Sequence, residues 1–499
     1  MNYLLGLDIG TSSVKGVLVN EKAELVLTGS SEQDLSNPRP GWAEQDPEIW
    51  WESTVEVIKN ILNQMEISSE NIAGISLSGQ MHSAVFLDRD MKVIRPAILW
   101  SDTRTSSQCQ EIYERVGGLE NLLENVGNPA LEGFTAPKIL WLKQNEPENY
   151  RRTDCLLLPK DYLRFRLTGE AAMEYSDAAG TLLLDIESKE WSHQILEKLE
   201  ITPEIMPPLM SSIDVGGEIR PEVADKLGLA EGTPVIAGGA DNACGAVGSG
   251  IIKTGRSMVS IGSSGVVLAH TDEPEPDEEG RIHLFNHARP NSWYMMGVML
   301  SAGMSMSWIK ESMYDEEYNY DEINRMASEV EPGSEGLIFL PYLYGERTPH
   351  ADADARGVFF GLSARHDQSH FFRSVMEGVC FGIRDSLELI KARDIELEEV
   401  RVIGGGARSK VWQQILADVL NEEISLINVE EGPAFGAALI AGVGTEVFAD
   451  FEEACSKALS VVDRVKPDPE AVKKYEKYYS LYKSLYPSLK DRFADLSEI

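Results

Sequence analysis

The chain has 499 residues, more than a single hydrophobic core usually serves, so two large domains are expected. Its 45 Lys and Arg against 81 Asp and Glu give a net charge of −36, which disfavours nonspecific binding to nucleic acid or anionic membrane. The five cysteines lack CxxC spacing, the N-terminus lacks the basic start of a signal peptide, and no apolar run has the length of a membrane span. A reduced, cytoplasmic protein is expected.

Two similar hairpins mark the two halves of the chain. A predicted strand at Leu4–Gly10 precedes the turn Thr11–Ser13 and a returning strand, and Ser257–Gly262 precedes the turn Ser263–Gly265 in the same way. Small residues let a backbone approach a ligand closely, and amides with hydroxyls can bind phosphate. A single hydroxyl-rich turn of this kind is more often a turn that binds no ligand. The matching pair, however, predicts two phosphate-binding loops.

The rest of the chain alternates between predicted strands and helices, which indicates an α/β fold. The predicted helices cover Glu48–Gln64, 105–125, 136–145 and Ser409–Asn421, and the predicted strands cover Ile72–Leu77, Val93–Trp100, Val235–Ala240 and Val400–Ile403. A cluster of small residues at Gly245–Gly255 predicts the domain boundary. The charged, helical tail at 446–499 is expected to pack on the second half.

Two acids, Asp8 and Asp241, each end an apolar strand beside glycine. A buried carboxylate is unfavourable unless it is paired, hydrated or bound to metal. A lone Asp at such a place usually caps a turn, but two at corresponding strand ends suggest that one holds a hydrated cation and the other accepts a hydroxyl proton. Gln80–His82 and Trp100–Arg104 offer groups suited to a hydroxylated ligand. Each signal is weak by itself, because a lone His in a turn is usually just solvated and the Asp102–Arg104 pair could equally be a structural ion pair.

The glycine-rich segments do not match the common nucleotide motifs. Gly250–Ser257 has Arg256 where a Walker A loop has Lys, and it precedes a strand. Gly404–Gly406 lies between a strand and a helix but lacks the third glycine of a dinucleotide fingerprint, which disfavours an NAD-dependent dehydrogenase. With a second small-residue segment at Gly432–Ala438, it could let a flat ligand such as adenosine lie between two helix starts.

Taken in order, these and further segments resemble the FGGY family of carbohydrate kinases, above all its members that act on xylulose. The segments are Gly6–Ser12, Gly41–Pro47, Gly79–His82, Pro159–Tyr162, Thr168–Glu170, Tyr175–Thr181, Gly238–Asn242, Gly345–Pro349, Asp354–Gly357, Gly404–Gly406 and Gly432–Ala434. The resemblance implies an actin-like ATPase fold of two ribonuclease-H-like domains with an interdomain cleft. It implies a sugar-binding domain at 1–247, an ATP-binding domain at 248–445 and a helical tail at 446–499 packed on the second domain.

The resemblance also implies roles for individual residues. Asp241 matches the catalytic base, and Asp8 matches the acid that acts on the phosphates through magnesium and water. The expected sugar contacts are Gln80, Met81, His82, Trp100, Asp241 and Asn242. The expected ATP contacts are Thr11, Ser12, Gly262, Ser263, Ser264, Gly405, Gly406, Ala407 and Ser409.

The implied activity is ATP-dependent phosphorylation of a ketopentose, D-xylulose to D-xylulose 5-phosphate, with ATP and Mg²⁺. Ser83 after His82 is closer to the gluconate kinases of the family, so ribulose, gluconate or another polyol remain alternatives. A non-kinase ATPase of the actin superfamily is the alternative from another class. No nucleic-acid or membrane partner is expected, and a homodimer is left open.

Overall fold

The structure is a computed structural model that describes residues 2–64, 68–314, 318–393, 395–429 and 431–497. The chain divides into two compact units, each discontinuous in sequence. The first unit comprises Met1–Ile252, Thr271–Tyr294 and Glu431–Leu459, and the second comprises Lys253–His270, Met295–Glu430 and Ser460–Ile499. The sequence analysis expected contiguous domains with boundaries at 247 and 445, whereas the segments 271–294 and 431–459 lie in the first unit.

Strands and helices alternate through the described part of residues 1–252. The strands are β1 (Tyr3–Ile9), β2 (Ser13–Asn20), β3 (Leu25–Glu32), β4 (Glu44–Gln45), β5 (Ile72–Gly79), β6 (Val85–Leu87), β7 (Ala97–Ile98), β8 (Cys155–Leu157), β9 (Met173–Glu174), β10 (Leu184–Asp185), β11 (Glu190–Trp191), β12 (Leu209–Met210), β13 (Val215–Glu218) and β14 (Pro234–Ala240). The helices are α1 (Pro47–Gln64), α2 (Ser106–Val116), α3 (Leu119–Val126), α4 (Thr135–Asn145), α5 (Pro147–Arg152), α6 (Pro159–Thr168), α7 (Tyr175–Ala179), α8 (His193–Leu199), α9 (Pro221–Leu227) and α10 (Asp241–Gly248).

The same alternation continues after residue 252. The strands are β15 (Arg256–Ile261), β16 (Gly265–Thr271), β17 (His283–Asn286), β18 (Trp293–Met299), β19 (Ile338–Leu340), β20 (Val358–Phe360), β21 (Glu399–Ile403), β22 (Ile424–Ile427) and β23 (Val461–Val465). The helices are α11 (Gly303–Tyr314), α12 (Tyr320–Ser328), α13 (Gln368–Lys391), α14 (Lys410–Leu420), α15 (Gly432–Gly444), α16 (Phe451–Ala458) and α17 (Pro469–Ser497). The α/β fold class is therefore confirmed.

The first unit is built on a six-stranded sheet in the order β13–β14–β5–β1–β2–β3. β5 runs parallel to β1 on one side and to β14 on the other, whereas β2 and β3 are antiparallel to their neighbours. Leu4, Leu5 and Leu7 of β1 are all fully buried, as expected for a strand covered on both faces. Because β1, β5 and β14 are parallel, the residues that follow them lie along one edge of the sheet.

Glycines allow helices to approach this sheet closely. A β-carbon at Gly16 of β2 would lie 2.5 Å from Cγ1 of Val57 in α1, and one at Gly6 of β1 would lie 2.0 Å from the carbonyl oxygen of Ala434 in α15. Within the same unit, a β-carbon at Gly436 would lie 1.8 Å from the carbonyl oxygen of Cys244 in α10. The small residues at 432–438, which the sequence analysis interpreted as half of an adenosine site, thus have a packing role.

The sheet of the second unit contains β16, β15, β21, β22 and β23 as successive neighbours. β15 and β16 form the second predicted hairpin, with Ile261 opposite Gly265, just as Ile9 lies opposite Val14 in the first. β21 and β22 run parallel to β15, and β23 closes the row in the antiparallel direction. Both hairpins predicted from the sequence are therefore confirmed.

Three predicted elements differ from the structure. The strand predicted over Val93–Trp100 is reduced to Ala97–Ile98. The helical stretch predicted at 105–125 is two helices, because Gly117 and Gly118 both adopt positive φ and interrupt it. The tail is not wholly helical, since β23 adds a strand to the second sheet. It also does not belong to the second unit throughout, since α16 lies in the first unit.

Within the described ranges, none of the helices combines the length and apolar character needed to cross a membrane. All five cysteine side chains are buried, and no disulfide joins any two of them. The described cysteines thus contribute as small core side chains.

Candidate active site

The two candidate acids lie at the same edge of the first sheet. Asp8 is paired in register with Ser78 of β5, and Ala240, the residue before Asp241, is paired with Gly79. Both acids therefore lie near the carboxyl ends of parallel strands that share β5 as a neighbour. This edge of an open α/β sheet is where ligands commonly bind.

Asp241 is poised to accept a proton near neutral pH. Burial raises the pKa of its carboxyl to about 7, and the negative charge of Asp8 adds to the increase. Hydrogen bonds from the backbone amide and side-chain amide of Asn242, both to Oδ1 at 2.7 and 3.0 Å, act in the opposite direction. The side chain still keeps partial contact with solvent, so a ligand can reach it.

The pKa of the Asp8 carboxyl is raised as well. Burial raises the pKa of its carboxyl, while a hydrogen bond from the Ser78 hydroxyl at 2.9 Å and the charge of Lys15 lower it. Because each acid disfavours ionisation of the other, a cation nearby would stabilise the doubly ionised pair.

Gln80 fastens the first hairpin turn to the sheet edge. Its backbone amide donates to the carbonyl of Ile9 at 2.8 Å, and its side-chain oxygen accepts from the hydroxyl of Thr11 at 3.2 Å. The indole Nε1 of Trp100 donates to the same Thr11 hydroxyl at 2.9 Å. Gln80 is buried, so its main role in this structure is to position the turn, while the Ser12 side chain is exposed.

Met81 and Asn242 are brought into contact with each other. The Met81 sulfur receives the side-chain amide of Asn242 at 3.8 Å and the hydroxyl of Tyr294 at 3.9 Å. Met81 is 4% exposed, so its apolar side chain is almost completely packed against its neighbours.

His82 is held rigidly in an unusual backbone conformation, with φ of 68°. Its Nδ1 lies 2.6 Å from the carbonyl of Gly180, which can only accept, so Nδ1 carries a hydrogen in this contact. Its own carbonyl accepts from the hydroxyl of Thr135 at 2.9 Å and from Nζ of Lys138 at 3.1 Å. A left-handed non-glycine residue fixed by its surroundings is often found at a functional site.

The predicted nucleotide loops line a cavity of about 590 Å³ within the second unit. Gly262 and Ser263 of the hairpin turn and Gly405, Gly406 and Ser409 of the glycine loop contribute to its wall. The wall also carries apolar side chains from three helices, namely Met306, Met376 and Trp412. Apolar walls with a few polar groups are typical of small-molecule sites.

Not every predicted ATP contact of the second unit is a free group in this wall. Ser264 and Ala407 are not among the residues that line this cavity. The Ser409 hydroxyl is engaged in structure, because it caps α14 by accepting from the Trp412 amide at 3.2 Å and donates to Oδ1 of Asn324 at 2.7 Å. A ligand contact through Ser409 would have to share that hydroxyl.

A magnesium ion is compatible with the residues at the sheet edge. Mg²⁺ is usually held by one or two carboxylates together with water and phosphate, and seldom by a cage of protein ligands. The carboxylate of Asp8 could serve as one such ligand. In the part of the chain that the structure describes, no group of three or more His, Cys, Asp or Glu side chains is arranged to hold a metal by itself.

Several residues at these sites were not singled out from the sequence. Ser78 bonds to Asp8, Tyr294 contacts Met81, and Asn324 contacts Ser409. Each lies far along the chain from its partner and carries no motif of its own, so the fold was needed to find it.

Comparisons with known proteins point to one family. The model of the N-terminal domain of the FGGY family of carbohydrate kinases matches residues 3–248. The model of the family's C-terminal domain matches residues 257–445. A xylulose kinase from Bacillus subtilis is 43% identical over 491 residues and covers 98% of both chains. A gluconokinase from the same species is 29% identical, with coverage of 100% of this chain and 98% of the other.

A solved structure also matches the whole chain. The ligand-bound xylulose kinase from Lactobacillus acidophilus superimposes with a TM-score of 0.94 at 27% identity, over 99% of this chain and 100% of that one. The similarity therefore spans both units.

Proposed function

The chain belongs to the FGGY family of carbohydrate kinases, and from that premise we propose that it transfers the γ-phosphate of ATP to D-xylulose, giving D-xylulose 5-phosphate. The observation that carries the mechanism is the placement of Asp241, a carboxylate with a pKa raised to about 7, at the sheet edge beside Met81 and Asn242. The similarity to xylulose kinases supports the choice of sugar.

Asp241 acts as the general base. A sugar hydroxyl is a poor nucleophile near neutral pH, and a carboxylate within hydrogen-bond reach accepts its proton as the bond to phosphorus forms. A base works best when its pKa lies near the working pH, which the burial of Asp241 provides. Met81, His82 and Asn242 orient the sugar so that one hydroxyl faces Asp241.

The hairpin turn of the second unit, with Gly262 and Ser263 in the cavity wall, holds phosphates of ATP through backbone amides and hydroxyls. Thr11 and Ser12 of the first turn stay predicted phosphate contacts. The carboxylate of Asp8 would hold a hydrated magnesium ion, which would supply positive charge to neutralise the phosphates. The hydroxyl of Ser78 donates to Asp8 at 2.9 Å and so orients the carboxylate that would hold this ion.

A neutral sugar fits the site better than gluconate. The proposed sugar contacts include no Lys or Arg to pair with a carboxylate. Ser83, which suggested gluconate, is fully buried, and its hydroxyl donates to Gln80 at 3.2 Å and accepts from the Trp100 amide at 3.1 Å. Its hydroxyl thus fastens the loop and gives no reason to choose the acidic sugar.

The raised pKa of Asp241 predicts a pH dependence. The base must be ionised to act, so activity is retained above its pKa and lost as the pH falls through it. We expect kcat/KM to fall about tenfold per pH unit below about pH 7. The measurement is kcat/KM for ATP at fixed D-xylulose between pH 5 and 9. A profile that stays flat down to pH 5 would mean that Asp241 has an ordinary carboxyl pKa or is not the base.

Substitutions in the glycine loop at Gly404–Gly406 are expected to affect the affinity for ATP and the thermal stability differently. A β-carbon at Gly405 would meet nothing within 4 Å and would occupy the cavity, whereas one at Gly406 would lie 2.4 Å from Cγ2 of Ile261. We expect Gly405→Val to raise the KM for ATP by about tenfold, a loss of about 1.4 kcal/mol of binding, with little change in Tm. Gly406→Val, whose side chain would collide with Ile261, should in contrast lower Tm, whatever it does to ATP binding. Unchanged ATP affinity in Gly405→Val would remove this cavity from the nucleotide site.

The function itself is tested by a coupled ADP-release assay with D-xylulose, D-ribulose, L-xylulose, gluconate and glycerol. The proposal expects the highest kcat/KM for D-xylulose and little ADP without sugar. Gluconate as the best acceptor would establish the alternative within the family. ADP release at the same rate without any sugar would support the ATPase alternative.

A further inference from the structure

The backbone beside Asp241 is held in an irregular part of the sheet. The pairing of β14 with β5 shifts register between Ile236 and Gly239, and Gly238 adopts a φ of +76°. A β-carbon at Gly238 would lie 1.8 Å from the carbonyl oxygen of Leu77, so the bend requires glycine. Bulges of this kind re-aim the side chains that follow them, here that of Asp241.

A side chain holds the end of this bent strand. The backbone amide of Ala240, directly before Asp241, donates to the hydroxyl of Ser176 at 2.9 Å. Ser176 is completely buried and lies in the first turn of α7, a separate element of the first unit. This bond forms only if a lone pair of the Ser176 oxygen faces the Ala240 amide. The orientation of the Ser176 hydroxyl therefore affects the position of Asp241, the next residue.

Glu174 fixes that direction. The Ser176 hydroxyl donates to Oε2 of Glu174 at 2.6 Å, so its proton is committed there and a lone pair faces Ala240. The other oxygen of Glu174 accepts from the Ser176 amide at 2.8 Å and from the Ser212 hydroxyl at 2.6 Å. With the Asp177 amide, Glu174 accepts from four donors, two of them at 2.6 Å. Four donors and short bonds are typical of an ionised carboxylate, which can only accept hydrogen bonds.

A buried lysine supports this charge. Nζ of Lys160 lies 3.7 Å from Glu174, 2.9 Å from Asp161 and 3.3 Å from Asp177, and all four side chains are fully buried. Burial opposes the charge of Lys160, but the three acids outweigh it and its pKa lies above the usual value. Burial raises the pKa of Asp177 well above its usual range, while the charge of Lys160 acts in the opposite direction. Arg164, 3.7 Å from Asp161, adds a second cation to this group.

We propose that Ser176 is a positioning residue for the catalytic base, and that the buried group of Lys160, Asp161, Glu174 and Asp177 sets its orientation. This rests on the proposed role of Asp241. Ser176 touches neither sugar nor ATP in this account. It acts by holding the amide of Ala240, so that the Asp241 carboxylate points at the reacting hydroxyl. A displacement of about 1 Å in such a group can lower the rate about 100-fold.

The test compares Ser176→Ala with Ser212→Ala. Both remove one buried hydroxyl that donates to Glu174, but only Ser176 also bonds to Ala240. The expected result is a fall in kcat of at least about tenfold for Ser176→Ala with the KM for ATP unchanged, and a change below about threefold for Ser212→Ala. Tm should fall by similar amounts in both.

The pH profile separates positioning from a general loss of structure. In Ser176→Ala the freed Asp241 carboxylate gains water, so the midpoint of the acid limb of kcat/KM should move to lower pH. A purely structural defect would scale kcat/KM equally at every pH. Equal losses of kcat in the two variants, or an unchanged kcat in Ser176→Ala, would overturn the proposal. Full activity of Asp241→Asn would instead refute the proposed function itself, whatever the serine variants do.

Discussion

Replacing Asp241 with asparagine is expected to lower kcat by about 10²–10⁴, the usual contribution of a general base. Asparagine keeps the size of the side chain and can still receive the hydrogen bonds from Asn242 on its oxygen. It cannot accept the proton of the sugar hydroxyl. Because the cavity proposed to bind ATP lies in the second unit, the affinity for ATP should stay close to that of the unchanged enzyme. Steady-state kinetics and calorimetric ATP binding measure the two effects.

Asp385 provides a matched control for this substitution. Burial raises the pKa of its carboxyl to about 7, as for Asp241, but it lies in α13 and accepts a hydrogen bond from the hydroxyl of Tyr479 at 2.7 Å. Asp385→Asn should change kcat by less than about threefold, since this carboxyl serves packing. Similar losses of kcat in both variants would mean that burial of a carboxyl, and no chemistry at Asp241, determines the effect.

The second large effect is expected on stability, from Lys160→Met. This change leaves the three fully buried acids around Lys160 without their central cation. Removing one partner of a buried ion pair typically costs about 3–5 kcal/mol, because an uncompensated charge stays behind. We expect the free energy of unfolding of the first unit to fall by about that amount, measured by urea denaturation followed through tryptophan fluorescence.

Lys253→Met is the control for this variant. Lys253 forms an ion pair with Glu398 at 3.6 Å, but its side chain is 54% exposed, so the pair should contribute at most about 1 kcal/mol. A loss in Lys160→Met no larger than that in Lys253→Met would show that the buried acids take up protons and relax without the lysine.

The sequence predicted the elements that carry strong local signals. Both hairpins, the helix at Glu48–Gln64 and the strands that end at Asp8 and Asp241 were predicted from apolar runs, glycines and turn residues. The family membership and the actin-like ATPase fold implied by the motifs were also confirmed by the comparisons. The roles of the individual site residues stay predictions, which the substitutions above test.

Other features depend on contacts that no local pattern contains. The segment at 432–438 has the small residues of a ligand loop, yet Gly436 is needed for the approach of α15 to α10. Ser176 and Lys160 appear in the sequence as ordinary motif positions, and only the fold brings the Ser176 hydroxyl to the amide of Ala240. The bulge in β14 arises from a register shift against β5, which the sequence of β14 alone does not specify.

The central claim is that phosphate passes from ATP to the sugar and not to water. The most direct measurement is ³¹P NMR of a reaction with ATP, Mg²⁺ and D-xylulose. The account predicts a sugar monophosphate resonance that grows in step with ADP, with no orthophosphate, and predicts that both signals disappear when the sugar is omitted. Orthophosphate released in step with ADP, without a phosphorylated sugar, would contradict it.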